Sequence, residues 1–89
     1  MDIYKLEPNR EYQLLKDFVD FHGQSFSTGQ RLIYICRHYL PYDDGHTVVF
    51  KQEREFLPGS FRESRMYLQG GDQKDIIENT GEYLRMINS

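Results

Sequence analysis

The sequence predicts an α+β domain: a small antiparallel sheet or partly open barrel of about four strands, covered by one C-terminal helix. Three observations predict it. Apolar residues alternate with polar ones along "SRMYLQ" and fill both parities of "RLIYICRHYL", which marks strands. Turn chemistry, "PYDDG" above all, separates two such runs. The C-terminal stretch then changes to a helical period, with Ile76, Ile77, Thr80, Tyr83, Leu84 and Ile87 on one face.

The elements follow in order. "LEPNREY" reads as a turn, because Pro8 suits its first central position and Asn9 tolerates a left-handed backbone. A strand is expected over 11–21. Its two parities disagree: Tyr12, Leu14 and Phe18 share one, Leu15, Val19 and Phe21 the other. A bulge near Lys16–Asp17 would reconcile them. A glycine-bearing loop, 22–30, leads to the strongest strand, 31–40. There Leu32, Tyr34 and Cys36 face one way and Ile33 and Ile35 the other, so something must cover the second face. "YDDG" fits a type I turn closed by Gly45 in the left-handed region, and the next strand covers 46–51. A charged connection with a Pro58–Gly59 turn leads to the strand at 64–69. Gly70–Gly71 end that strand, Asp72 is the expected N-cap, and a helix is expected over 73–87, covering Ile33, Ile35 and Val49.

Eighty-nine residues make a single domain, 1–89. Hydrophobic residues at 38%, 15% of the chain being aromatic, suffice for a core and argue against disorder. A net charge of −3 with eleven scattered basic residues disfavours a nucleic-acid surface. Cys36 is the only cysteine, so no internal disulfide forms; in "LIYIC" it reads as a small buried hydrophobe. "MDIYKLEPNR" has no apolar signal core, and no stretch has the length of a membrane span, so a cytoplasmic location is expected.

The adjacent pair Asp43–Asp44 invites a metal or acid–base reading. Aligning Gly45 to the glycine of a helix–loop–helix calcium site puts Leu40 and Lys51 where carboxylates belong. His38 and His46 flank the turn, with His22 as a further ligand for zinc, but their spacing matches no standard site. No nucleophile–base spacing and no phosphate loop is present. The expectation is no enzyme, no metal and no cofactor; the aspartates make the turn.

Tyr12, the "DF-x-D-x-x-G" segment (Asp17, Phe18, Asp20, Gly23), Gly29, "LPYDDG" and a closing "DIIENTGEYL" stretch with Tyr83 together carry a resemblance. The chain resembles, over nearly its whole length, an uncharacterised family of small bacterial domains, a domain of unknown function. The resemblance implies provenance and fold, not chemistry. Asn9 stands where a glycine is usual, and the Gln52–Glu63 connection is longer and more charged than the pattern. A weaker likeness, carried by "FSTGQRLIYI" and "DFVDF", runs to SH3-type barrels. Those domains grip proline-rich peptides with aromatics that include a tryptophan, which this chain lacks.

The leading functional expectation is a non-enzymatic binding or regulatory module of a bacterial cytoplasm. Its candidate surface is Tyr39, Tyr42, Asp43, Asp44, Arg65 and Tyr67, with Arg37 nearby, since Tyr and Arg are enriched at interface hot spots. One alternative is an acidic immunity-type or inhibitor protein that caps a basic partner through Asp17, Asp20, Asp43, Asp44, Glu53 and Glu55. Another is a self-associating structural domain, a homodimer paired through a sheet edge at the first strand or at Ser64–Gln69.

Overall fold

The computed structural model describes residues 2–41, 44–54 and 56–87. The fold is mostly β, with seven strands: β1 (Glu11–Leu14), β2 (Phe18–Val19), β3 (Ser25–Phe26), β4 (Arg31–Leu40), β5 (Gly45–Arg54), β6 (Leu57–Gln69) and β7 (Leu84–Met86). One short helix, α1 (Lys74–Glu78), and 3-10 turns at Ile3–Lys5 and Thr80–Glu82 complete it. Five strands form one antiparallel sheet in the order β6-β5-β4-β1-β7, while β2 and β3 pair separately. The sheet is not closed into a barrel.

One face of the sheet carries the core. Tyr12, Leu14, Leu32, Tyr34, Val48, Phe50, Met66, Leu68 and Leu84 alternate along their strands and are buried. Ile76 and Ile77 of α1, Phe26 of β3 and Ile3 and Leu6 of the N-terminal segment close over the same face. The helix therefore joins this core; it does not cover the second face, contrary to the expectation that it would shield Ile33, Ile35 and Val49. Ile35 stays exposed there, and Val49 is shielded within the sheet.

Other expectations are corrected. The strand expected over 11–21 is two strands in different sheets. Chain direction changes after Leu14, and the odd-parity residues Leu15, Val19 and Phe21 are exposed; the parity conflict marked a break, not a bulge. A bulge does occur in β4, where the register passes from Tyr34↔Phe50 to Cys36↔Val49. It turns Cys36 out of the core; the thiol is partly exposed, with its Sγ 3.6 Å from His38 Nε2.

The strands expected at 46–51 and 64–69 are the inner parts of one long hairpin. Its outer pairs, such as Gln52↔Arg62 and Glu53↔Phe61, are charged or polar and give no hydrophobic period. Pro58–Gly59 is not the turn but an irregularity inside β6, between Glu53↔Phe61 and Arg54↔Leu57, with Gly59 at φ 84°. The hairpin tip leaves Phe56 at 88% exposure.

The helix expected over 73–87 ends at Glu78. Asn79, Thr80 and Gly81 are weak helix formers. The Thr80 hydroxyl, fully buried, donates to the Ile76 carbonyl at 2.6 Å and so closes the last turn. Leu84–Met86 then pairs with the free side of β1, Tyr12 opposite Met86. Asp72 is not the cap: Gln73 holds that position, and its side chain accepts from Gln69 N–H at 2.8 Å rather than capping the helix amides. The amides of Gly71 and Asp72 donate instead to Gln69 Oε1, at 2.8 and 3.1 Å.

Candidate functional site

The β4 bulge distributes the expected surface residues. Past it, Arg37 lies opposite Val48 and Tyr39 opposite His46, on the core side of the sheet. Arg65 and Tyr67, opposite Val49 and Thr47, point to the other face. The candidate surface is thus split between two faces. Tyr42 and Asp43 lie outside the described residues, as does Glu55.

On the core side, His46 is 4% exposed. Its Nδ1 lies 3.3 Å from Arg37 Nη1. A guanidinium only donates, so Nδ1 is the acceptor of a neutral imidazole. Burial, then the neighbouring Arg37 charge, hold its pKa below the usual 6.5, against a smaller opposing pull from Asp44. Tyr39 packs 4.9 Å from the imidazole and donates its hydroxyl to Asp44 Oδ1 at 3.0 Å, which raises the phenol pKa. Tyr4 lies over the Arg37 guanidinium at 4.3 Å. Asp44 itself, not Gly45, takes the left-handed backbone, at φ 46°. Gly45 starts β5. Asp tolerates that conformation as few side chains do.

His38 pairs with Thr47 and projects from the face opposite His46. The two cannot share an ion. Among the described residues no three His, Cys, Asp or Glu side chains are grouped to hold a metal.

On the second face, an open groove of about 640 Å³ crosses the end of the β4–β5–β6 sheet. Gly45 and Thr47 of β5 are among its lining residues. Leu40 and Pro41 make one wall, and Phe21, His22 and Tyr67 the other. Thr47, Gln69, His22 and Asp44 supply polar atoms around it, and no Lys or Arg is among its lining residues. Its volume falls in the range of ligand pockets, about 300–1,000 Å³.

Asp20 builds the second wall. It is 4% exposed and accepts from the amides of His22 (3.0 Å), Gln24 (2.8 Å) and Tyr67 (3.0 Å), and from Gln24 Nε2 (3.3 Å). Phe21 N–H donates to the Tyr67 carbonyl at 2.8 Å. These bonds fasten residues 20–24 along the outer edge of β6, and His22 packs on the Tyr67 ring with centroids 4.3 Å apart. Phe21, held out by the same loop, stays 52% exposed.

Tyr67 and Asp44 were legible as surface candidates; Phe21, His22, Leu40 and Thr47 were not. The off-parity Phe21 beside Gly23 was the signal, since an aromatic there fits neither face of a continued strand.

Of the charges considered for an acidic capping face, Asp43 and Glu55 lie outside the described residues, and Asp17 and Asp44 are exposed. Asp20 is consumed structurally, and Asp17 accepts from Thr28 N–H at 2.5 Å. Glu53 shares its face with Arg31, Lys51 and Glu11. Of the sheet edges considered, β1 is covered by β7. The β6 edge at Tyr67 is bonded to residues 20 and 21.

Residues 4–89 match the family described as "Domain of unknown function (DUF3601)". The chain belongs to that family. The DUF3601 fold also has a counterpart of known structure: the integron cassette protein VCH_CASS4 from the mobile metagenome of Vibrio cholerae. That protein superposes with a TM-score of 0.81 at 17% identity, covering 92% of this chain and 88% of its own. At that identity the likeness concerns the DUF3601 fold alone. No curated protein matches the chain. No helix among the described residues is long and apolar enough to cross a membrane.

Proposed function

We propose that this DUF3601 domain is a non-enzymatic binding module whose groove receives a segment of a protein partner. One observation carries the reading. The groove lining leaves Phe21 at 52% and Leu40 at 51% exposure. Two large apolar side chains facing one concavity are what an anchoring side chain needs on binding. The hydroxyl of Thr47 suits a hydrogen bond to an extended backbone. Asp44, with no Lys or Arg lining the groove, favours a segment that carries a basic residue beside its apolar anchor.

The test begins with proteins captured from bacterial lysate by the wild-type domain, each then purified and titrated against it. Phe21→Ser with Leu40→Ser should weaken the cognate complex by about 2 kcal/mol, roughly thirty-fold in Kd. Phe56→Ser, at the exposed hairpin tip, should leave it unchanged. Loss through Phe56→Ser with the groove variant binding normally would move the interface to the tip and overturn the reading. Capture of nothing specific at low or moderate salt would also count against it.

A further inference from the structure

The cluster around His46 reaches in two directions. It lies beneath the N-terminal segment, and His46 and Asp44 also line one end of the groove. The segment is a strap. Ile3 and Leu6 are buried in the core, and Glu7 N–H donates to the Tyr12 hydroxyl at 2.8 Å. Its 3-10 turn is capped by Asp2, whose carboxylate accepts from Tyr4 N–H at 3.1 Å. Between those anchors Tyr4 touches the sheet through two contacts. Its ring covers the Arg37 guanidinium at 4.3 Å and meets His46 edge-on at 5.9 Å.

Arg37 holds this arrangement together. The β4 bulge brings it to the core side, His46 Nδ1 accepts from it, and Tyr4 lies over it. The groups that face His46 are Arg37 and Tyr39 from β4, Tyr4 from the strap and Asp44 from the turn; β6 presents apolar Leu68 opposite it. No carboxylate among the described residues forms an ion pair with Arg37.

We infer that protonation of His46 releases the strap Asp2–Leu6 from the sheet. A proton on Nδ1 occupies the lone pair that Arg37 uses. It turns one part-buried hydrogen bond into two cations 3.3 Å apart. Among the described residues Asp44 is the one anion acting on the imidazole, and one of its oxygens is already used by Tyr39. Arg37 must swing away, and Tyr4 loses both the cation beneath it and the neutral ring beside it. The strap then keeps only Ile3, Leu6 and the Glu7–Tyr12 bond as anchors, so the turn around Tyr4 opens while the core stays closed.

The experiment uses the whole chain without ligand. His46 is titrated by NMR from about pH 7.5 to 5, and amide exchange protection, corrected for intrinsic rates, is read at Tyr4 and Lys5. The wild type should lose strap protection by about tenfold or more, with a midpoint that tracks the His46 imidazole, while Val48 and Phe50 hold theirs. His46→Gln should keep its strap protection constant across the range. Arg37→Gln should move the His46 midpoint upward and lower strap protection already at neutral pH. Constant strap protection while His46 titrates would overturn the inference, as would an unchanged loss in His46→Gln.

Discussion

Replacing Asp20 by Ala tests both the fold and the groove wall. The carboxylate accepts four hydrogen bonds, three of them from backbone amides on two separate segments. A hydrogen bond to a charged acceptor contributes about 1.5–3 kcal/mol, and an amide left without a partner loses about 1–3 kcal/mol when buried. These donors are only partly buried, so water recovers some of the loss. About 3–5 kcal/mol remains for Asp20→Ala. For a chain of this size the whole stability is on the order of 4–13 kcal/mol. Each kcal/mol shifts Tm by about 4–8 °C, so a fall of at least about 12 °C is expected in a thermal melt. Asp20→Asn keeps an oxygen for His22 and Gln24 but turns an NH₂ toward Tyr67 N–H, so it should fall between the two. The groove wall should loosen in parallel, with faster amide exchange at Phe21 and Tyr67. A Tm change below about 4 °C for Asp20→Ala would refute the assignment of residues 20–24 as a groove wall pinned by this carboxylate.

Three further outcomes are expected. Asn9 sits at φ 65°, so Asn9→Ala should cost about 1 kcal/mol in urea unfolding whereas Asn9→Gly should be close to neutral. A Cβ at Gly70 would collide with the Asp44 carboxylate and press on its carbonyl oxygen at 3.1 Å, so Gly70→Ala should destabilise by about 1–3 kcal/mol and free the Tyr39 hydroxyl, seen as a fall in the Tyr39 pKa. Acid unfolding should have two stages. The fold prefers neutral His46, so its contribution is complete above the unfolded value of 6.5 and is lost as pH falls from there toward the lowered folded value. Asp17 is held below the usual carboxylate range by the Thr28 amide. Asp75 is held there by the Tyr83 hydroxyl and the Asn79 amide. Both lose their contribution only as pH falls below 3.8. Urea midpoints measured against pH check both stages, and His46→Gln should remove the first alone.

The inner strands were legible because burial on one face writes a two-residue period into Leu32, Tyr34, Val48, Phe50, Met66 and Leu68. The left-handed turn at Asn9 was legible from its residue type. Other features were hidden for identifiable reasons. The outer half of the β5–β6 hairpin is solvated, so its pairs are charged and carry no hydrophobic period. Ile76, Ile77, Thr80 and Leu84 do face the core, as a helical pattern requires, yet a short helix, a 3-10 turn and a strand reach the same face in turn. The bulge at Ile35 reversed the faces of Cys36, Arg37 and Tyr39, a change of register no local pattern announces. For the site, the sequence offered tyrosines and aspartates but not the concavity. The groove depends on Asp20 bonding to Tyr67 N–H across 47 positions of sequence, a contact only the folded chain creates.

The most direct test of the groove as the binding site is site-specific photo-crosslinking in living bacterial cells. One photoreactive residue replaces Leu40, on the groove wall, and in a second version replaces Arg85, on the same side of the sheet but at the β7 edge. The account predicts one dominant adduct from position 40, abolished by Phe21→Ser, and only background from position 85. Equal adducts from both positions, or a position-40 adduct indifferent to Phe21→Ser, would contradict it.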